Sequence, residues 1–161
     1  MIKCIAAIDK NFGLGRNNDL LFNIKADMQR FRTLTAKSIV LVGYNTLLSF
    51  PNCKPLPGRS TICLCPADIE RDDCYCVHSF EECLKLVKEL AKTQDVWVIG
   101  GGMLYATMLP YYDELYMTHI DADGRAEVFF PDFSKDFEVS EWNPWKEENG
   151  IKYQFVNYKR K

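Results

Sequence analysis

The chain has 161 residues, 47% of them apolar, with 22 acids against 20 bases and a net charge of −2. That length suits one domain with its own core, and the near-neutral charge argues against a dedicated nucleic-acid binder. The 3 Trp, 8 Tyr and 10 Phe, with 26% charged residues, exclude disorder and collagen-like repeats. No apolar run approaches the roughly 20 residues of a membrane span. The apolar run at residues 1–8 is too short for a secretory leader and stops at Asp9-Lys10. A cytoplasmic protein is therefore expected, with no membrane or nucleic-acid partner and with its seven cysteines as reduced thiols.

Residues 1–8 read as a first strand. Residues 9–24, with Gly13, Gly15, Asn17 and Asn18, read as a long loop, and loops of that length in a compact domain are usually functional. A helix is predicted over 25–35, with Ala26, Phe31 and Leu34 or Met28 on one side. Ser38-Ile39-Val40-Leu41-Val42 is a buried strand ending at Gly43, followed by a short helix at 44–50 and a turn-rich stretch holding Pro51, Pro55, Pro57 and Gly58. Strands follow at 60–65 and 74–77. The helix at 79–92 opens with Ser79 as N-cap and Glu82 three residues on, a capping box. Val96-Trp97-Val98-Ile99 is an apolar strand, then come Gly100-Gly101-Gly102 and a helix of about eight residues up to Pro110. A strand is predicted at 115–121. The tail gives two more, near 137–142 and 151–159, an antiparallel pair around Pro144 and Asn149-Gly150. Strands separated by helices predict a single α/β domain over 1–161. It would have a central, mostly parallel, twisted eight-stranded sheet, an antiparallel C-terminal strand pair and about four flanking helices. Ligands in such sheets bind at the carboxyl ends of strands.

Three features can carry chemistry. The strand, glycine turn and helix start at 96–105 form an anion site, because glycine lets a ligand approach backbone N–H groups. The segment lacks both the G-x-G-x-x-G spacing and the P-loop lysine, and a tight turn without a ligand is the other reading. Asp27 is the only acid among residues 2–46 placed on a helix. A first-turn acid is often solvated and favours the positive helix end. In an apolar cleft it binds an amidine-like cation or supports proton transfer. Arg59, just before a buried strand, is either a surface residue or a bidentate clamp for a carboxylate. Two C-x-C pairs, Cys63/Cys65 and Cys74/Cys76, have spacings shorter than usual zinc ligands. They read better as small hydrophobes in buried strands, so no metal is expected.

In order, the motifs are Ile5-Ala6-Ala7, Gly13-Leu14-Gly15, Asn23-Ile24-Lys25-Ala26-Asp27-Met28-Gln29-Arg30-Phe31 and Val42-Gly43-Tyr44-Asn45-Thr46. They continue with Pro55-Leu56-Pro57-Gly58-Arg59, Val98-Ile99-Gly100-Gly101-Gly102, Leu115-Tyr116-Met117-Thr118-His119-Ile120 and Phe129-Phe130-Pro131. Their joint order and spacing resemble the dihydrofolate reductase family over essentially the whole chain. The resemblance implies hydride transfer from NADPH to C6 of 7,8-dihydrofolate with protonation at N5. The product, tetrahydrofolate, serves one-carbon metabolism for thymidylate, purine and amino-acid synthesis. It also implies a monomer that binds antifolates.

By the same resemblance, Asp27 holds the pterin 2-amino group and N3, and Thr118 hydrogen-bonds that carboxylate. Leu20 and Phe22 border the reacting rings. The carbonyls of Ile5 and Ile99 meet the pterin amino group, and Ala7 lies where pterin and nicotinamide touch. Met28, Phe31 and Phe50 line the aminobenzoyl slot, and Arg59 clamps the glutamate carboxylate. Gly13, Leu14, Gly15, Asn18 and Asp19 belong to a lid over the nicotinamide. Gly43, Tyr44, Asn45 and Thr46 hold the cofactor, as do Gly100, Gly101, Gly102, Met103, Leu104 and Tyr105. Leu64, Cys65 and His78 border the adenosine.

The chain departs from the family pattern at several places. Many relatives have Pro-Trp where it has Leu21-Phe22, so an indole donor near the pterin is lost. Tyr44 and Met103 replace common basic residues, and Cys65-Pro66 replaces polar ones, so use of NADH beside NADPH is expected. Ala126 stands where some relatives have glycine, which suggests a loop with fewer conformations. Glu127 is expected to pair with lid N–H groups near Gly15 and Arg16. Three other readings remain open. A pteridine-like reductase of the same fold has no need for Asp27 with Arg59. A binding protein without catalysis would be consistent with Phe22 and the missing basic residues. A zinc module rests on the C-x-C pairs alone.

Overall fold

The apolar runs Ile2–Ile8 (β1), Ile39–Gly43 (β4), Ser60–Leu64 (β5) and Val96–Val98 (β7) lie as parallel strands in the computed structural model. The structure describes residues 1–16 and 19–161, and all of their side chains except those of Asp19 and Leu20. Runs this apolar are buried on both faces, as parallel strands require. With Tyr75–Val77 (β6), Glu114–Ile120 (β8), Phe137–Trp142 (β10) and Ile151–Arg160 (β12), they form a sheet in the order β10-β12-β8-β1-β7-β4-β5-β6. The pairs β1/β7, β1/β8, β4/β5, β4/β7 and β5/β6 are parallel, while β12 is antiparallel to β8 and to β10.

The expected eight-stranded, mostly parallel sheet is therefore present, with an antiparallel C-terminal end. A ninth strand, Lys146–Glu148 (β11), pairs only with β12 through a turn at Asn149-Gly150, where both residues have positive φ. Its polar sequence carried no strand signal.

Helices cover both faces. Lys25–Thr35 (α1) and Tyr44–Leu48 (α2) lie on one side, over Ile5, Val40, Trp97 and Cys63. Phe80–Leu90 (α3) and Gly102–Thr107 (α4) pack on the other, over Cys4, Ile8, Leu41, Val98 and Met117. Ser79 caps α3 by accepting from the Glu82 N–H at 3.1 Å. The Glu82 carboxylate takes the His78 N–H at 3.3 Å rather than that of Ser79, so only half of the expected capping box forms. The fourth helix is also shorter than expected, since Leu109–Tyr111 tightens into a 3-10 turn.

Residues 9–24 are not a plain loop. Gly13–Arg16 (β2) pairs with Asp19–Leu20 (β3) and with Val128–Phe129 (β9) in a separate three-stranded sheet. Short glycine-rich strands have little intrinsic β propensity, so this pairing is imposed by tertiary contact.

Candidate functional site

Along β1 and β8, alternate side chains face α1, and register sets Ala7 beside Thr118 and Ile5 beside Tyr116. Asp27, in the first turn of α1, looks onto this face. The Thr118 hydroxyl donates to Asp27 Oδ1 at 2.6 Å, across 91 residues of sequence. Burial pushes the Asp27 carboxyl above its usual range, while the Thr118 hydrogen bond and the Arg30 charge pull it partly back. Phe22, like Ala7 and Ala26, packs against the apolar cluster of Ile24, Ile120 and Tyr153 near the start of α1. A carboxylate so placed can hold an amidine-like edge and perturb proton affinity next to it.

Nothing in the sequence marked what holds the start of α1. Its N-cap is Ile24, which has no capping side chain. Instead Glu148, from β11, accepts the Lys25 N–H at 2.6 Å and the Ala26 N–H at 3.2 Å. A carboxylate at a helix start satisfies orphan donors and suits the positive end of the helix. It fixes the turn that carries Asp27.

Asp27, Met28 and Phe31 follow one another along α1, and Arg59 lies beside Phe31 and Thr35 farther along the same helix. Phe31 packs against the cluster of Ile5, Val40 and Trp97, Phe50 against that of Val42, Leu47, Cys63 and Cys65, and Ile99 borders both. Met28 is half-buried on the same helix. The Arg59 guanidinium lies 5.7 Å above the Phe31 ring. Its Nε donates to Thr35 Oγ1 at 2.8 Å, and Nη1 to the Pro57 carbonyl at 2.6 Å. Thr35 in turn donates to the Phe31 carbonyl at 2.7 Å, which ties the clamp to the helix. No ion pair neutralises Arg59 among the described residues. Burial and the like charge of Arg32 lower its pKa, and an opposite charge placed beside it would favour the charged guanidinium.

The glycine triplet lies where β7 ends, against β4. The Gly43 N–H donates to the Gly100 carbonyl at 2.8 Å, and Gly100–Gly101 is a cis peptide. A Cβ on Gly101 would come within 2.6 Å of Thr46 Oγ1, and one on Gly102 would collide with the Val128 side chain. Small residues are thus required here to bring the backbone of the two helix starts together. That cradle suits a phosphate approached by backbone N–H groups. Asn45 is exposed beside it and Met103 is 80% exposed. Leu104 is core, so only its backbone can reach a ligand. Tyr105 is also buried, and its hydroxyl donates to the Ile5 carbonyl at 2.7 Å, tying the cradle to β1.

Strand β2 is pinned by Asp9, which no sequence motif marks. Asp9 is 3% exposed, and its carboxylate accepts the N–H groups of Asn11 (2.8 Å), Gly13 (2.7 Å) and Gly124 (2.9 Å). Gly13 is held against Ala126 and Asp9, with no space for a Cβ, and Leu14 and Gly15 continue β2 toward β9. The left-handed residue of the bracing loop is Arg125, at φ 54°, so alanine at 126 meets no positive-φ demand there. Glu127 reaches the lid through its backbone, its N–H donating to the Gly15 carbonyl at 2.9 Å. The expected role of Asn18 and the side-chain roles of Asp19 and Leu20 lie outside the described residues.

At the far end, Leu64, Cys65 and His78 lie near the edge of the sheet. The His78 ring contacts the Pro66 carbonyl at 3.0 Å and the Glu70 carboxylate at 2.7 Å, and these contacts raise its pKa. Arg71, near Tyr44, is held by both oxygens of Asp73 at 2.8 and 2.7 Å. Cys63, Cys65, Cys74 and Cys76 share an apolar cluster with Val42 and Leu47, and burial pushes the Cys63 thiol up to about 11. Among the described residues, no group of three or more His, Cys, Asp or Glu is arranged to hold a metal ion. None of the described helices is long and apolar enough to cross a membrane.

A half-buried carboxylate and a backbone cradle on one parallel sheet place this chain in the class of α/β domains that bind ligands at the carboxyl ends of their strands. Comparison with known proteins makes this specific. Residues 1–160 match the dihydrofolate reductase family. Dihydrofolate reductase of Bacillus subtilis is 32% identical over 165 aligned positions, covering 100% of this chain and 95% of that protein. A putative dihydrofolate reductase of Caenorhabditis elegans is 34% identical over 96% of this chain and 94% of its own length. The solved dihydrofolate reductase of Enterococcus faecalis, complexed with NADP(H) and RAB-propyl, superposes with a TM-score of 0.87 at 25% identity, over 99% of this chain and 96% of that one. The chain belongs to the dihydrofolate reductase family, oxidoreductases that reduce dihydrofolate with NADPH.

Proposed function

We propose that the chain reduces 7,8-dihydrofolate at this cleft with Asp27 as the group on which the proton step depends. The observation that carries this reading is the Asp27–Thr118 hydrogen bond at 2.6 Å, which joins a desolvated carboxylate on α1 to the central strand β8. With Oδ1 engaged by Thr118, the carboxylate keeps capacity to accept from the pterin 2-amino group and N3–H. Held this way, the pterin presents C6 toward Ala7 and the lid. Its N5 becomes more basic through the ring and a neighbouring water. Phe22 excludes bulk water from that side and contributes no donor of its own. The backbones of Ile5 and Ile99 border the pterin ring, while Phe31, Phe50 and Met28 hold the aminobenzoyl group. Arg59 takes the glutamate carboxylate.

NADPH supplies the hydride, and the residues that would hold it are the glycine cradle with Thr46 and the lid strand β2. The fit is supported by the cradle itself, where glycine at 101 and 102 lets the starts of α2 and α4 and strand β9 close together without a side chain between them. We further infer weak discrimination against NADH. Met103 carries no charge, Arg71 is taken by Asp73, and His78 is taken by Glu70. An acid at the adenosine edge suits an unphosphorylated ribose. Antifolates with a cationic diaminopyrimidine edge would pair with Asp27 in the substrate's place. The free thiols support a reducing compartment, the cytoplasm, and a monomer is proposed.

The test is steady-state consumption of NADPH and of NADH with dihydrofolate, repeated with Asp27→Asn. Turnover with either nucleotide that collapses in Asp27→Asn supports the reading. NADH turnover below about one hundredth of the NADPH value would reject the weak discrimination. Full activity of Asp27→Asn would reject the role of Asp27.

A further inference from the structure

Arg30 occupies the same face of α1 as Asp27, one turn on, where residues three apart have Cβ atoms roughly 5–6 Å apart. Its guanidinium does not leave for solvent. Nη2 donates to Asn157 Oδ1 at 2.5 Å and Nη1 to the Met117 carbonyl at 3.3 Å. The planar head lies 4.4 Å from the centre of the Phe155 ring and 5.8 Å from that of Tyr116. These contacts surround Thr118. Met117 supplies the peptide carbonyl just before it, and Phe155 is its cross-strand partner on β12.

We infer that Arg30 is a positioning residue for the Asp27–Thr118 pair, fastening α1 to β8 and β12 around Thr118 and placing a fixed positive charge beside the carboxylate. The inference rests on the reading of Asp27 as the group supporting the proton step. The charged and titratable groups facing Asp27 are Arg30 and Tyr105, and those facing Arg30 are Asp27, Tyr116 and Glu141. Arg30 is the one cation in that set. Its charge favours the ionised carboxylate against the effect of burial. Asn157 fixes where that charge sits.

The experiment is the pH profile of hydride transfer in a single turnover with saturating NADPH and dihydrofolate, for the parent chain, Arg30→Gln, Arg30→Lys and Asn157→Leu. Asp27→Asn and the Arg30→Gln/Asp27→Asn double variant complete the set. Arg30→Gln moves the midpoint to higher pH. One pH unit above the parent midpoint, its rate relative to its own plateau exceeds the parent's by about two- to threefold. Arg30→Lys keeps the charge and restores the midpoint, and Arg30→Gln moves nothing in the Asp27→Asn background. A midpoint unmoved in Arg30→Gln, or moved equally in Arg30→Lys, overturns the inference while a collapse in Asp27→Asn leaves the reading of Asp27 standing. Full activity of Asp27→Asn overturns both. If Arg30→Gln does not fold, Asn157→Leu decides: a moved midpoint supports the inference, and an unmoved one overturns it.

Discussion

Removing the Glu148 carboxylate perturbs the active site without touching a ligand. Glu148→Ala leaves the Lys25 and Ala26 N–H groups without their acceptor. Loss of a helix cap costs about 0.5–2 kcal/mol, and the favourable charge at the helix start adds about 0.3–1 kcal/mol. Glu148 is only half-buried, so water recovers part of this, and a net loss of about 1.5 kcal/mol is expected. For a chain of this size about 1 kcal/mol shifts Tm by roughly 2–4 °C, so thermal unfolding followed by circular dichroism falls by about 3–6 °C. Glu148→Gln retains one acceptor oxygen and loses about half as much. Because the capped turn carries Asp27, the KM for dihydrofolate rises in Glu148→Ala more than the KM for NADPH. A Tm within about 1 °C of the parent, with both KM values unchanged, would refute the idea that this hairpin holds the carboxylate in place.

Other substitutions separate the parts of the cleft. Arg59→Gln removes a bidentate clamp worth about 1.5–3 kcal/mol, so dihydrofolate binding weakens about 10- to 100-fold by equilibrium fluorescence while single-turnover hydride transfer at saturation is largely kept. Gly101→Ala sets a methyl 2.6 Å from Thr46 Oγ1 and weakens NADPH binding by about tenfold or more, with little change in folate binding measured without nucleotide. Asp27→Asn stabilises the ligand-free protein at neutral pH. The raised pKa of Asp27 means that the folded chain holds this proton to higher pH than the unfolded chain does. Stability therefore falls as pH rises from the unfolded carboxyl value, about 3.9, through the folded one. The Tm difference between Asp27→Asn and the parent should be positive near neutrality and close toward acid pH.

The parallel strands were legible because burial on both faces leaves near-continuous apolar runs, as in Val40-Leu41-Val42 and Val96-Trp97-Val98. The 9–24 segment was not, because its strands depend on a partner at Val128–Phe129 more than a hundred residues away, and both partner residues are exposed. Of the candidate site residues, Asp27 and Arg59 stood out by residue type and position, while Thr118 and Phe31 entered through motif order; the structure sets Asp27 against Thr118 and Arg59 over Phe31. Asp9, Glu148 and Arg30 were missed for one reason. A charged residue in a polar stretch reads as solvated, and only the fold reveals that the carboxylates collect backbone N–H groups and that Arg30 reaches across to Asn157. The half-formed capping box at Ser79 shows the limit of local pattern, since the N-cap oxygen obeys it while Glu82 takes the neighbouring N–H.

The most direct test of the central claim is the rate of hydride transfer in a single turnover for the parent and Asp27→Asn across about pH 5–9. The parent should hold a plateau at low pH and fall as the proton becomes scarce. Asp27→Asn should lose about 100-fold or more near neutrality, and then gain roughly tenfold per unit as the pH is lowered, following protonation of the substrate itself. Parallel profiles of similar height in the two proteins would contradict the account, and would place the proton path somewhere other than Asp27.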